Sequence, residues 1–237
     1  MKNVLIIGGS SGIGRKLAEA YAAQGCMVVV TGRRLEKLEQ LAQSSSRIQI
    51  VEMDICRTDN LPGQLEALAA SMDHLDLIIL SAGTGDLNTA LDLTIEMRTI
   101  STNVSGFTAV VTWAYGYFEK QGYGHLAAIT SIAGLRGSRG GPAYNASKAF
   151  QINYLQGLRQ KAGHARVPIH ITEVRPGFVD TDMAKGEGIF WMASVEKASN
   201  QIIAGLKAKR SVVYITRRWR LIGWLLKILP DILYNRL

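Results

Sequence analysis

Ser131, Tyr144 and Lys148 carry the sharpest chemical signal in this chain. Tyr144 and Lys148 stand four residues apart in a stretch with helical character, so their side chains share one face. A free tyrosine, with a pKa of about 10, exchanges protons poorly near neutrality. An ammonium group beside it favours the phenolate, so Lys148 is expected to lower the pKa of Tyr144. Such a phenol can deliver a proton to an oxygen that is gaining negative charge, and can take it back in reverse. Ser131, thirteen residues before the tyrosine, is placed to hydrogen-bond the same oxygen. Taken singly, each residue has an ordinary explanation: a turn hydroxyl, a half-buried aromatic, a solvated lysine. The order and the spacing make the case.

These side chains need a frame, and the hydrophobic pattern supplies one. Short apolar runs at 4–7, 27–31, 48–53, 75–81, 125–130, 169–174 and 212–215 read as strands. Helical patterns lie between them, at 12–24, 35–42, 61–71, 91–118 with a break near 101–103, 143–162 and 195–206. Strands alternating with helices at this spacing build βαβ units with parallel strands and right-handed crossovers. The expected fold is therefore α/β: a single Rossmann-type, doubly wound parallel sheet of about seven strands with helices on both faces. Residues 1–216 form the expected dinucleotide-binding catalytic domain, with a substrate loop at 183–194, and 217–237 a basic amphipathic tail of the same domain. Ser131 then falls at the C-terminal end of the fifth strand, where a doubly wound sheet opens its crevice.

A second motif sits at the end of the first strand: Gly8-Gly9-Ser10-Ser11-Gly12-Ile13-Gly14. Glycines there allow a tight turn and let backbone N–H groups approach a pyrophosphate, at which the next helix points its positive end. The second strand ends Val30-Thr31-Gly32-Arg33-Arg34. Enzymes that use NAD commonly place an acid here for the ribose 2′-hydroxyl. Gly32 stands at that position, and Arg33 offers a guanidinium to a 2′-phosphate. NADP(H) is the expected cofactor; two solvated arginines opening a helix are the alternative.

The glycine loop resembles the T-G-x-x-x-G-x-G loop of the short-chain dehydrogenase/reductase family, with Ile7 in place of threonine. The Ser131, Tyr144, Lys148 spacing is that of the family's active site, and Asn103 matches its fourth catalytic position. Ser81-Ala82-Gly83 is similar to the family's N-N-A-G, with Leu80 and Ser81 in place of the asparagines. Arg175-Pro176-Gly177-Phe178-Val179-Asp180-Thr181 is similar to its P-G-x-V-x-T segment. The resemblance implies hydride transfer between a nicotinamide and a carbonyl or alcohol. It also implies that Lys148 holds the nicotinamide ribose and that Asn103 holds a water that refills the proton on Tyr144. Asp54 and Ile55 would lie beside the adenine. Pro176 and Gly177 would shape the nicotinamide turn, with the Val179 backbone and the Thr181 hydroxyl on the carboxamide. A homodimer or homotetramer is implied too, paired through the helices that hold 103–118 and 143–162. A non-catalytic dinucleotide sensor on the same fold is the competing reading.

Composition narrows the rest. Two cysteines, Cys26 and Cys56, do not make a disulfide framework and read as reduced, packed thiols. The four histidines show no metal-ligand spacing, so no metal is expected. The N-terminal apolar run meets the glycine loop too soon for a signal peptide or a membrane span, which makes the cytoplasm the default. The net charge of +8 belongs largely to the end of the chain: Lys207, Lys209, Arg210, Arg217, Arg218, Arg220, Lys227 and Arg236 face one acid, Asp231. No nucleic-acid motif accompanies it. The stretch 217–229 is basic, apolar and tryptophan-bearing. It suits a helix lying on an anionic membrane, with Trp219 and Trp224 at the headgroups, but equally a lid or core element, or a subunit contact. Met183 to Ser194 is the expected substrate loop, whose Phe190, Trp191 and Met192 form an apolar wall or pack in the core. An apolar, lipid-like substrate would suit such a wall, and Leu135, Arg136 and Arg139 are within reach of the pocket.

Overall fold

The computed structural model describes residues 2–184 and 190–234. Residues 185–189, the middle of the expected substrate loop, and Arg236 lie outside the described residues. Seven strands form one parallel sheet: β1 (Asn3–Ile7), β2 (Met27–Gly32), β3 (Ile48–Glu52), β4 (Leu77–Leu80), β5 (Gly124–Ile129), β6 (Ile169–Pro176) and β7 (Val212–Ile215). Their order across the sheet is β3-β2-β1-β4-β5-β6-β7.

Side chains alternate along a strand, which explains why β1 is apolar at successive positions. Val4 and Ile6 enter one core, whereas Leu5 and Ile7 enter the other. The first core lies under α1 (Gly12–Ala23), α2 (Leu35–Ala42) and α7 (Val195–Lys207), which contribute Leu17, Leu38 and Ile202. The second lies under α3 (Leu61–Ala70), α5 (Phe107–Gln121) and α6 (Pro142–Ala165), which contribute Leu65, Val110 and Leu155. Helices therefore cover both faces of the sheet. The order of strands reverses between β1 and β4, and the crevice beyond their C-terminal ends receives the chemistry-bearing residues.

The expected helix break near 101–103 takes a specific form. Between α4 (Leu93–Ile100) and α5 the chain stays helical but widens into a π turn, Ser101–Gly106. Such bulges re-aim one turn of side chains and backbone. Here the turn buries Asn103 completely and brings Gly106 against Ile55, where a Cβ would meet the Ile55 carbonyl oxygen at 2.7 Å.

The tail folds back on the domain as α8 (Trp219–Ile228) and α9 (Asp231–Tyr234). Its inner face is packed in protein: Trp219 is 3% exposed, and Gly223 lies against Ile132 and Leu135. Arg136 secures the end of α8, donating to the carbonyls of Leu226 at 2.8 Å and of Leu229, and pairing with Asp231 at 2.6 Å. The outer face remains apolar and exposed, with Leu221 at 72% and Trp224 at 64%. Trp219 therefore cannot lie among lipid headgroups, because the ring is held against Gly177, Phe178 and Phe190. No helix among the described residues is long and apolar enough to cross a membrane.

Candidate active site

A cavity of about 590 Å³ runs across the C-terminal ends of the strands. One end is the glycine loop. Gly8 adopts φ +90°, and a Cβ there would lie 2.3 Å from the backbone nitrogen of Ala82, so β1 and β4 approach too closely for any side chain. Gly14 does not line the cavity. It lets α1 pack on the loop, since a Cβ there would lie 2.3 Å from the Gly8 carbonyl oxygen. Ser10, Ser11, Gly12 and Ile13 do line it. The start of α1 has no side-chain cap and no acid in its first turn, so its free N–H groups and positive dipole end are available to an anion.

Arg33 and Arg34 both border this end, and the second was missed as a site residue in the sequence. Arg34 reaches across to the loop: its guanidinium donates to Ser10 Oγ at 2.8 Å and to Ser11 Oγ at 2.6 Å. The Arg-Arg doublet was a visible signal, but its direction depends on the turn after β2, which spacing does not reveal. Asp54 and Ile55 line the adjoining wall. The Asp54 carboxylate also accepts from the Cys56 backbone N–H at 3.0 Å, so it shapes a turn while facing the cavity. Cys56 lines the same wall, its Sγ 3.3 Å from Thr102 Oγ1, while Cys26 is buried elsewhere.

The deep end brings Ser131, Tyr144 and Lys148 together with Ser81, Ala82 and Gly83. Ser131 follows β5 in extended conformation and starts a short 3₁₀ turn, Ile132–Leu135, by accepting from Ala133 N–H at 3.1 Å. It also hydrogen-bonds Tyr144. Proline at the first turn of α6 fixes where that helix begins, with Tyr144 in that turn and Lys148 in the next. Lys148 Nζ lies 5.8 Å from the centre of the Tyr144 ring. It donates to the Ile129 carbonyl at 3.2 Å and to Gln151 Oε1 at 3.1 Å.

Two expectations change here. Burial pushes the Tyr144 phenol up, with the Ser131 hydrogen bond acting the other way, and Lys148 does not contribute to the shift. The lysine is itself lowered to about 8 by burial. Desolvation thus outweighs the ammonium–phenol attraction expected from the sequence, because the ammonium lies 5.8 Å from the ring centre, Lys148 is buried and Tyr144 is half-buried. Asn103 does not line the cavity. Its side chain clamps the loop after β4, donating to the Thr84 carbonyl at 2.7 Å and Ser147 Oγ at 3.0 Å and accepting from Thr84 N–H at 3.0 Å. Its own carbonyl accepts from Gln151 Nε2 at 2.9 Å. The Gln151 side chain thus joins Lys148 to the Asn103 carbonyl. The clamped loop leans over the tyrosine: a Cβ on Gly85 would lie 2.3 Å from its ring.

Pro176, Gly177, Val179 and Thr181 form the remaining wall, with Thr181 Oγ1 donating to the Val179 carbonyl at 3.3 Å. Trp219 packs so tightly over this turn that a Cβ on Gly177 would lie 2.1 Å from its ring. Phe190 and Trp191 join Trp219 in an aromatic cluster, and Met183 borders the cavity. Leu135, Arg136 and Arg139 do not line the cavity: Leu135 packs under α8 and Arg136 is committed to its C-terminal end. The residues present fit a dinucleotide, with a side-chain-free cradle, an uncapped helix end and two arginines at one end and a buried hydroxyl–ammonium pair at the other.

Comparison with known proteins decides the family. The family model for short chain dehydrogenases matches residues 2–188. The chain belongs to the short-chain dehydrogenase family. An uncharacterised oxidoreductase of Myxococcus xanthus is 30% identical over 99% of this chain and 95% of its own length. The 11-beta-hydroxysteroid dehydrogenase 1A of Arabidopsis thaliana is 27% identical over 98% of this chain and 73% of its own. Among solved structures, a short-chain dehydrogenase from Sphingobium yanoikuyae in complex with NADPH covers 98% of this chain and 97% of its own, at 21% identity and a TM-score of 0.80. One from Burkholderia phymatum in complex with NAD covers 94% and 92%, at 17% identity and a TM-score of 0.84. These two neighbours were solved with NADPH and with NAD, which supports a nicotinamide cofactor, and this chain is an oxidoreductase of the family.

Proposed function

We propose that this oxidoreductase is NADP(H)-dependent and reduces a carbonyl, or oxidises the corresponding secondary alcohol, on an apolar, lipid-like substrate. The bound nicotinamide supplies or accepts the hydride. The observation that carries the reading is the convergence of Ser131, Tyr144 and Lys148 at the deep end of the cavity whose other end carries Arg33 and Arg34. Ser131 orients the carbonyl oxygen by donating its hydroxyl proton to it. Tyr144, protonated at neutral pH, gives that oxygen its proton as negative charge develops. Lys148 places a cation beside the ribose and the phenol, and it carries that charge mainly below about pH 8. In oxidation the phenol must first lose its proton, which its raised pKa opposes, so the oxidative rate is expected to rise with pH.

Arg34, already bonded to Ser10 and Ser11, and Arg33 beside it are the cations for a 2′-phosphate, and Gly32 leaves no carboxylate to repel one. The experiment is NADPH and NADH oxidation against a panel of ketones, aldehydes and acyl thioesters. Turnover with neither cofactor on any carbonyl would favour the competing reading, a non-catalytic dinucleotide sensor. We also propose a homodimer or homotetramer formed through the exposed sides of α5 and α6. A sedimenting species of 25.9 kDa alone would rule it out. Finally, we propose that the protein works in the cytoplasm and that the outer face of α8 rests on anionic membrane. Its apolar Leu221, Trp224, Leu225 and Ile228 are exposed, and so are the cations Arg217, Arg220 and Lys227. Arg218 is engaged elsewhere, over the Trp191 ring and on Thr216.

A further inference from the structure

Polar residues buried in a helix face toward the core require a reason, and Gln151 is such a residue. It is 1% exposed, three residues after Lys148 on α6, and the buried positions that follow it, Leu155 and Ala162, are apolar. Burying an amide is unfavourable unless both its ends are bonded, and both are. Oε1 accepts from Lys148 Nζ at 3.1 Å, while Nε2 donates to the carbonyl of Asn103, in the π turn, at 2.9 Å. The lysine has three donors. Gln151 and the Ile129 carbonyl take two of them, which leaves one for the cavity.

We infer that Gln151 is a positioning residue, whose amide ties the Lys148 ammonium to the Asn103 backbone and so fixes where that ammonium stands relative to Tyr144. This rests on the proposed role of Lys148. The amide does this without passing a proton, because a primary amide neither gains nor loses one near neutrality. Burial is what lowers Lys148, and no charged neighbour contributes to the shift. Tyr144 on its own helix, 5.8 Å away by ring centre, is the titratable group facing it. An acceptor from Gln151 consequently weighs heavily on how well the ammonium is held.

The test compares Gln151→Leu with Gln151→Glu in the full chain. Two readouts are followed: the pH profile of reductive kcat/KM on the best carbonyl of the panel, and the pH dependence of urea unfolding. Leucine removes the acceptor, and glutamate offers a stronger one. The leucine variant is expected to lose about ten-fold in kcat at neutral pH, the scale of one hydrogen bond to a charged group. Its alkaline limb should move to lower pH, and the glutamate limb to higher pH. The unfolding titration should move the same way in each variant. If both variants keep the wild-type limb and unfolding titration, or both move in one direction, Gln151 merely fills space and the inference fails. Should no carbonyl turn over, the unfolding titration still reports on Lys148. Failure of the proposed activity is thereby distinguished from failure of this inference.

Discussion

Lys148 is a cation that the fold buries at a cost, and Lys148→Met measures it. The side chain is 4% exposed, and burial lowers its pKa from the ordinary 10.5 to about 8. Between these two values the unfolded chain binds more protons than the folded one, so stability rises with pH across that window. Below about pH 8 both states are charged, and the penalty for folding around the ammonium is fully present. At 1.36 kcal/mol for each pKa unit, that penalty is about 3 kcal/mol at pH 7 and falls to about 1 kcal/mol by pH 9.5, a difference of about 2 kcal/mol. Methionine has a similar length, cannot titrate and leaves the Ile129 and Gln151 acceptors unpaired. Those packing and hydrogen-bond losses do not depend on pH, so they cancel when the variant is compared with wild type at two pH values. Urea denaturation at pH 7 and pH 9.5 should therefore show the variant gaining on wild type by about 2 kcal/mol at the lower pH. Equal differences at the two pH values would show that Lys148 titrates near its ordinary value, and the account of the buried cation would be wrong. The variant should be inactive throughout. A residue that weakens the fold while serving the site is a familiar form of the stability–activity trade-off.

Tyr144→Phe should lower reductive turnover at least about a thousand-fold, the scale of a lost general acid, while NADPH binding read by fluorescence quenching stays near wild type. Retained turnover would remove Tyr144 from the mechanism. A Gly32→Asp side chain fits, because its Cβ would lie no closer than 3.4 Å to Ser10, and it would bring a carboxylate to the serine that Arg34 holds. The NADPH-over-NADH preference in kcat/KM should fall by at least about ten-fold, the scale of a charged hydrogen bond; an unchanged ratio would mean that the arginines do not read the 2′-phosphate. Co-sedimentation with anionic vesicles should drop when Leu221, Trp224 and Ile228 are changed to serine, and in wild type it should weaken as salt rises. Substitution is preferred to truncation because removing α8 would strip Trp219 from Gly177. If wild type stays in the supernatant at low salt, the membrane proposal is wrong; if the serine variant instead dissociates an oligomer, the face is a subunit contact.

Periodicity located the elements to within a few residues because the strands are covered on both sides. β4 reads Leu77-Ile78-Ile79-Leu80 without interruption, and each of these residues enters one core or the other. The glycine loop was legible for a similar reason: Gly8 and Gly14 stand where other backbone would collide with any Cβ. Side-chain direction was less accessible. Arg34 rather than Arg33 bonds the glycine loop's serines, and which of two adjacent residues turns inward depends on φ and ψ at Gly32 and Arg33, which local composition does not fix. The sequence treats Trp219 and Trp224 together, at a lipid surface or buried in a lid or subunit contact, yet the two lie on different sides of α8, at 3% and 64% exposure. They are five residues apart, about one and two-fifths turns of helix, which carries them to different sides.

The site's electrostatics were the least legible part, and the reason is general. Spacing of four residues places a lysine and a tyrosine on one face, and in water that proximity would favour the phenolate. Spacing says nothing about how much water the face retains. Here the loop after β4, clamped by Asn103 to Thr84, leans Gly85 over the Tyr144 ring, while Gln151 and the Ile129 carbonyl engage the lysine from behind. Each of these partners comes from a different segment, brought in by the π turn, by β5 or by the next turn of α6. Desolvation therefore acts on both groups at once, raising the phenol and lowering the ammonium. The two shifts act in the same direction on catalysis. On the proposed mechanism they keep Tyr144 protonated at neutral pH and make the cation beside it depend on pH near 8, so reductive turnover should fall on the alkaline side as Lys148 discharges.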